Sequence, residues 1–225
     1  MLSLLVLMLP VEPPYTLDAP IDASILFLGL GSTASQWVPT PPPSCLPDCV
    51  APDVNAFDRW ALGRYEPSFR LTADIGMTAL AVAPVALSLI DTHGQDGWGG
   101  EMVVYAESLF LAQGIAQIAK HLIDRNAPFT YENYLTYGER DGAAGTFPSG
   151  HTALAVAAAT TYSVSYWMRH PDDPKRFAIL AVSEVLALGV GLFKILAGSH
   201  YPTDVLGGAL IGALCGILVP LGHAQ

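Results

Sequence analysis

Charged residues are scarce in this chain of 225 residues. They make up 13% of it, about half of the roughly 25% found in soluble domains, whereas hydrophobic residues make up 52%. Mean hydropathy is correspondingly positive, at +0.41. The composition therefore predicts a membrane protein rather than a soluble enzyme, and the length indicates one main domain.

Basic residues are scarcer still. Ten Lys and Arg stand against twenty Asp and Glu, so the formal net charge is −10. A chain with so few cations cannot neutralise a long run of nucleic-acid phosphates. We therefore expect no nucleic-acid partner.

The chain has only three cysteines. Cys45 and Cys49 lie in a proline-rich stretch, and Cys215 lies in an apolar run where it is expected to be a small buried hydrophobe. A Cys45–Cys49 disulfide is one alternative if the loop faces an oxidising compartment, and two free thiols are the other. A metal site on these two cysteines is disfavoured because no His or further Cys stands nearby to complete a tetrahedron.

Long apolar runs are what the chain does have. A helix that crosses the bilayer needs about 20 mostly apolar residues, and five stretches approach this length. They are 71–90, 102–118, 152–167, 177–197 and 205–221. A sixth stretch, 21–38, contains Asp22 and is either a short span or an amphipathic helix at the interface. We predict an all-α fold, a polytopic membrane bundle of five or six transmembrane helices.

The first 70 residues differ from the rest. Residues 1–12 resemble the apolar core of a signal peptide but lack a basic region and a clear cleavage site, so their role stays open. Clustered prolines in 39–70 predict an extramembrane loop. We divide the chain into an N-terminal hydrophobic segment and loop, 1–70, and a transmembrane helical domain, 71–225.

The orientation follows from the basic residues of one hairpin. Arg169, Lys175 and Arg176 lie in the turn between two spans, which favours the cytoplasm for that turn. The opposite helix ends would then face outward, as would the cysteine loop. Four other arginines would also lie outside and weaken this charge bias.

Polar residues collect at that outward face, where ionisable groups are expensive and by default functional. They are Lys120 with Arg125, Ser149-Gly150-His151, Lys194, and His200 with Asp204. Ser149, Gly150 and the helix that starts there form a phosphate cradle in outline, because a helix N-terminus carries partial positive charge. Asp204 follows His200 by four residues, so its carboxylate can accept the Nδ1–H and leave Nε2 as a nucleophile.

Each residue also has a purely structural interpretation. Asp204 can cap a helix without doing chemistry. Lys120 and Lys194 can extend from helix ends to the lipid head groups. His151 at a membrane interface can be a solvated side chain, and we favour the functional interpretation only because all these residues share one face.

In this order the residues resemble the motifs of the type 2 phosphatidic acid phosphatase superfamily over roughly the last 125 residues. The matching positions are Lys120 and Pro128, then Pro148-Ser149-Gly150-His151, then His200 and Asp204. The resemblance implies a helical bundle, no metal or other cofactor, and a phosphohistidine intermediate. It implies that His200 attacks phosphorus, Asp204 orients it and His151 protonates the leaving oxygen, while Lys120, Ser149 and Gly150 hold the phosphate.

Two arginines of the family pattern are absent. Ala127 stands at the Arg position of the first motif, and Lys194 stands at the Arg position of the third. Compared with arginine, Lys194 keeps the positive charge but lacks the planar fork of N–H donors, whereas Ala127 lacks both the charge and the donors. We hypothesise that Arg125 or Arg140 supplies the missing charge, so Arg125 joins Lys194 among the expected phosphate-binding residues.

The expected function is a metal-independent membrane phosphatase. A site at the membrane face suits a lipid phosphate monoester or a prenyl diphosphate whose tail stays in the bilayer.

Segment 129–147 is rich in tyrosine and is expected either to cap the pocket or to form an interfacial aromatic belt. The alternative is a weakened or inactive relative that binds a lipid phosphate or a protein partner. A vanadate-dependent haloperoxidase is disfavoured because the cationic set is reduced, and the oligomeric state stays unknown.

Overall fold

The computed structural model describes residues 14–38, 43, 45, 49, 54–92, 97–131 and 143–225. Within these ranges the regular secondary structure is helical, apart from one isolated bridge between Tyr15 and Ala224. A short 3₁₀ helix covers Ala34–Trp37. The α-helices are α1 Ala19–Thr33, α2 Ala56–Arg59, α3 Pro67–Thr92, α4 Trp98–Leu122, α5 Gly150–Arg169, α6 Lys175–Leu196 and α7 Pro202–His223.

Four helices, α3, α4, α6 and α7, are long and apolar enough to cross a membrane. They coincide with the predicted spans 71–90, 102–118, 177–197 and 205–221. Most of the side chains of α3 and α6 lie outside the protein interior, as expected for helices that contact lipid. The chain is thus a helical membrane protein, and the predicted all-α fold class is confirmed.

The remaining predicted span, 152–167, is the buried centre of the bundle. Helix α5 packs against α3, α4, α6 and α7. It is rich in Ala, Ser and Thr and most of its residues are buried. A helix surrounded by other helices needs small side chains for close packing rather than large apolar ones for lipid. This explains why α5 is less apolar than its four long neighbours.

Three glycines spaced four apart bring α7 close to α5. They are Gly208, Gly212 and Gly216. A Cβ on Gly212 would lie 2.9 Å from the backbone nitrogen of Ala157, and a Cβ on Gly216 would lie 2.6 Å from the Cβ of Thr160. The absence of side chains at these positions therefore sets the distance between the two helices.

Helix α1 is packed onto the bundle. Helix α1 has 15 residues and lies along α4, where a Cβ on Gly29 would meet the Cβ of Phe110 at 2.9 Å. It is shorter than the roughly 17 to 25 residues of a spanning helix, so the choice between a short span and an interfacial helix for 21–38 stays a prediction. The boundary at residue 70 is likewise a prediction.

The structure decides between the two alternatives left open for Cys45 and Cys49, and it agrees with the prediction of a buried Cys215. Cys45 and Cys49 form a disulfide, with sulfurs 2.02 Å apart. Cys215 is a free thiol and is buried. The possible signal segment, 1–12, lies outside the described residues.

Candidate active site

Five helix ends meet at one end of the bundle. The first turns of α3 and α5, the last turns of α4 and α6 and the residues just before α7 surround a cavity of about 460 Å³. Its lining includes four of the residues singled out from the sequence, Lys120, His151, Lys194 and His200, together with Arg70. Residues that are distant in the sequence and were expected to share one face thus line one cavity.

His200 stands just before α7, beside the carboxylate of Asp204. The His200 Nδ1 atom lies 3.5 Å from Asp204 Oδ2, and both side chains are buried. This separation is longer than a normal hydrogen bond, as is common in catalytic pairs without substrate. Burial lowers the pKa of His200, and the charges of Lys120 and Lys194 lower it further, although Asp204 partly offsets them. His200 is therefore neutral at physiological pH, with a free lone pair.

Local structure at the start of α7 fixes this pair. Asp204 Oδ2 accepts a hydrogen bond of 2.9 Å from the backbone N–H of Tyr201, so Asp204 also closes the helix N-terminus. Pro202 occupies the first turn, where its missing N–H costs nothing. The turn before His200 requires Gly198, whose φ is 75°, because a side chain there would overlap the carbonyl of Arg64.

His151 is paired with a carboxylate that the sequence analysis did not single out. Its Nε2 lies 3.0 Å from Asp74 Oδ1 on α3. The same oxygen accepts a hydrogen bond of 2.6 Å from Lys194 Nζ. Asp74 is the sole charged residue of the span 71–90, and an ionisable residue in a span was the signal that could have found it.

Ser149 and Gly150 shape the start of α5. Ser149 is fully buried and is the N-cap: its Oγ accepts from the backbone N–H and the hydroxyl of Thr152. A Cβ on Gly150 would lie 3.2 Å from Gln113 Oε1 and 3.6 Å from Lys120 Nζ. Glycine thus leaves room between Lys120 and the positive end of the helix, which is where an anion would be held.

Arg125 lies behind Asp204 rather than in the cavity. It donates to Asp204 Oδ1, to Thr203 Oγ1 at 2.7 Å and to Asp58 Oδ2 at 2.7 Å. Its guanidinium also stacks on the Tyr201 ring, 4.0 Å from the ring centre. With its donors on these partners, Arg125 holds Asp204 in place, and the geometry does not support the predicted phosphate-binding role.

Asp58, on the short helix α2, completes this support. It is fully buried and accepts from Thr203, Arg125 and Asn55. Burial alone would raise the pKa of Asp58, but these hydrogen bonds lower it below its usual value. Asp58 is therefore ionised, and the segment before α3 contributes directly to the order of the site.

Comparison with known proteins agrees with this geometry. The model of the PAP2 superfamily matches residues 101–225, more than half of the chain. The chain belongs to the PAP2 superfamily. This confirms the resemblance drawn from the motifs.

Several curated relatives are named as phosphatases of lipids. The chain is 32% identical to a lipid A 1-phosphatase of Porphyromonas gingivalis over 54% of this chain and 23% of the relative. It is 29% identical to a decaprenylphosphoryl-5-phosphoribose phosphatase of Mycobacterium tuberculosis, over 53% and 59%. It is 26% identical to an undecaprenyl-diphosphatase of Sulfolobus acidocaldarius, over 47% of each chain. The chain thus spans less than two thirds of the length of these relatives.

A solved structure shows the same fold. The crystal structure of Aquifex aeolicus LpxE matches 77% of this chain and 99% of its own, with a TM-score of 0.51 and 20% sequence identity. At this identity the likeness concerns the arrangement of helices and not the substrate.

The two positions at which the chain departs from the superfamily pattern have different surroundings. Ala127 is fully buried and packs with Phe129 and Ala143, so the position is filled by the apolar core. Lys194 reaches the cavity but is hydrogen-bonded to Asp74. Arg70, one turn before Asp74 on α3, brings a guanidinium to the cavity. Arg140, the other predicted replacement, lies outside the described residues.

Proposed function

We propose that this chain is an integral-membrane phosphatase that hydrolyses a lipid phosphate monoester or a prenyl diphosphate through a phosphohistidine intermediate. The observation that carries the proposal is the pairing of neutral, buried His200 with the buried carboxylate of Asp204 at a cationic cavity. His151 lines the same cavity. Anion binding alone would need the cationic side chains, but it would not need a nucleophile, a carboxylate that orients it and a separate acid.

The proposed reaction has two displacements at phosphorus. Nε2 of His200 attacks, the bond from phosphorus to the leaving oxygen breaks, and His151 gives that oxygen a proton. Water then attacks the phosphohistidine, His151 takes a proton from it, and His200 leaves with the electron pair of the P–N bond. Asp204 holds the Nδ1–H of His200 and stabilises the positive charge that develops on the ring.

The phosphate oxygens need positive charge and donors that are already in place. We assign this role to Lys120, the N-terminus of α5 at Gly150, Arg70 and Lys194. Asp74 ties Lys194 to His151, so it orients the acid and one cation together. In this proposal Ser149 contributes mainly by capping α5, and Arg125 contributes by fixing Asp204.

A membrane lipid is the proposed substrate class. The cavity of about 460 Å³ accommodates a phosphate head group, and Trp37 and Phe129 add apolar surface to its wall. The relatives are named for phosphatases of lipid A and of polyprenyl carriers. A substrate of this kind keeps its tail in the bilayer while its phosphate enters between the helix ends.

We propose that the protein resides in a bacterial inner membrane with the site facing the periplasm or cell exterior. The Cys45–Cys49 loop lies between Trp37, which lines the cavity, and Asp58, which bonds Arg125. In the sequence the two cysteines are thus flanked by residues that belong to the site. Disulfides persist in oxidising compartments, so the bond favours an extracytoplasmic site.

Phosphate release without added metal tests the proposal. The detergent-purified protein is offered lipid monophosphates and prenyl diphosphates, with His200→Ala as the inactive variant and His121→Ala as the control for a His at the nearby end of α4. We expect release from at least one lipid by the wild type and His121→Ala, and none by His200→Ala. Binding of these lipids without turnover by any form would instead favour an inactive relative.

A further inference from the structure

A second cluster of titratable side chains lies away from the phosphate cavity. Asp22 on α1, Glu107 on α4 and His223 in the last turn of α7 meet there. They are 5%, 0% and 9% exposed. Glu107 precedes Lys120 by thirteen residues, about 20 Å along a helix, and His223 lies at the opposite end of α7 from His200. The cluster takes no part in the proposed reaction.

The geometry of the cluster resembles a set of metal ligands. His223 Nδ1 lies 2.8 Å from the carbonyl oxygen of Val219, and because a carbonyl only accepts, Nδ1 carries the proton. His223 Nε2 then faces Asp22 Oδ1 at 3.0 Å and Glu107 Oε2 at 3.4 Å. Ligand atoms of a tetrahedral zinc ion are about 3.3 Å apart, and a backbone carbonyl often holds the second ring nitrogen of a metal-bound His.

The charges of the cluster are ones that a divalent ion would balance. No described residue hydrogen-bonds either oxygen of Glu107 or the Oδ2 atom of Asp22. Buried carboxylate oxygens without a hydrogen bond are costly, most of all inside a membrane bundle. A protonated His223 would supply one positive charge against two carboxylates, whereas a divalent cation balances both.

We propose that Asp22, Glu107 and His223 bind a divalent transition-metal ion of the zinc type. One imidazole nitrogen with two carboxylates suits such an ion better than Mg²⁺ or Ca²⁺, which prefer oxygen ligands throughout. A cavity of about 570 Å³ lined by Asp18, Asp22 and His223 provides a path to the site. The bound ion would join α1 to α4 and α7.

Metal binding by the intact protein tests this proposal. The protein is purified in detergent with an affinity tag that contains no histidine, stripped with a chelator and titrated with Zn²⁺. We expect one tight site and a rise in the melting temperature. Glu107→Gln and His223→Gln should each weaken that site by more than about 100-fold, the upper range for loss of a residue that only supports a ligand. His170→Gln is the matched control, because His170 also faces a carboxylate, Asp91, at 2.8 Å.

Cobalt provides a readout that needs no variant. Co²⁺ bound to the stripped wild-type protein should give the visible absorption bands of an ion with few ligands. Added Zn²⁺ should displace the Co²⁺ and abolish these bands. If the wild type takes up no Zn²⁺ or Co²⁺ and its melting temperature is unchanged, the proposal is wrong and a protonated His223 bridges the two carboxylates. Equal binding by the wild type and His223→Gln would overturn it as well.

Discussion

In the proposed site, Arg70 takes the place of the guanidinium that the first and third motifs lack. It lines the cavity one turn from Asp74, beside the paired Lys194. We expect Arg70→Ala to lower kcat by about 100- to 1,000-fold, or about 2.7 to 4 kcal/mol, as for removal of a donor to the transition state. Arg70→Lys should retain part of the rate because it keeps the charge. Steady-state kinetics on the best lipid substrate measure this.

The control for Arg70 is Arg64→Ala. Arg64 stacks on Trp60 and donates to the Trp60 carbonyl at 2.7 Å, outside the lining of the cavity. The Arg64→Ala variant should therefore retain nearly the full wild-type kcat. Wild-type kcat in Arg70→Ala would show that Lys120 and Lys194 suffice to hold the phosphate.

The lowered pKa of His200 predicts where activity declines with acid. Protonation occupies the lone pair of Nε2, so kcat/KM should fall as the pH falls through the pKa of His200. Because burial lowers that pKa, the acid limb should lie below pH 6.5. Lys120→Met removes a charge that lowers the same pKa, so its acid limb should move to higher pH. A pH profile of kcat/KM, measured for the wild type and for Lys120→Met, reports the two apparent pKa values.

Lys175→Met is the control for this shift, since Lys175 is exposed at the start of α6. Its profile should match the wild type. An acid limb above pH 6.5 in the wild-type protein would contradict a neutral His200.

Residues at helix starts could be predicted from the sequence, whereas residues brought from α2 and α3 could not. The strings around His151 and His200 carry local signals, a cap and a first-turn proline, that fix them near helix N-termini. Arg70 and Asp58 reach the site through the packing of α3 and α2 on other helices, which no local pattern encodes. Arg125 was recognised as important, but its orientation toward Asp204 depends on Asp58.

Among the elements, α5 organises the bundle, and its contact with α7 depends on glycine. We expect Gly212→Ala to destabilise the protein by about 1 to 3 kcal/mol, because the added methyl meets Ala157 N and Val156 Cβ at 2.9 Å. Thermal unfolding in detergent measures the change. Gly189→Ala on α6 is the control: its methyl meets nothing within 4 Å, so stability should hold or rise. An unchanged melting temperature in Gly212→Ala would mean that α5 and α7 can move apart with little loss in the free energy of unfolding.

Hydropathy predicted the helices of the bundle but not their places in it. The long apolar stretches at 71–90 and 177–197 became helices with exposed faces, as expected for contact with lipid. The stretch 152–167 was predicted by the same criterion, yet α5 is interior and keeps its small residues for packing. For α1, the mixture of apolar and polar residues left two alternatives, a short span and an interfacial helix. The contact that buries Asp22 comes from His223, 201 positions away, and no local pattern predicts it.

At the scale of the whole molecule, the two ends of the bundle differ in character. One end holds the open cationic cavity. At the other end Arg169 is 1% exposed and bonds Glu101 and Asp91, so its charge is neutralised within the protein. The positive-inside argument for the hairpin therefore depends on Lys175 and Arg176 alone. The Cys45–Cys49 disulfide supports the same proposed orientation independently, because disulfides persist in oxidising compartments.

Cysteine labelling in intact bacterial cells decides the orientation. In a Cys215→Ser background, in which Cys45 and Cys49 are paired, Ser68→Cys places an exposed thiol near the site and Asp172→Cys places one in the α5–α6 hairpin. A membrane-impermeant maleimide should label Ser68→Cys in intact cells and Asp172→Cys only after the membrane is opened. The reverse result would place the cavity in the cytoplasm, where the disulfide would be reduced and lipid phosphates would reach the site from the inner leaflet.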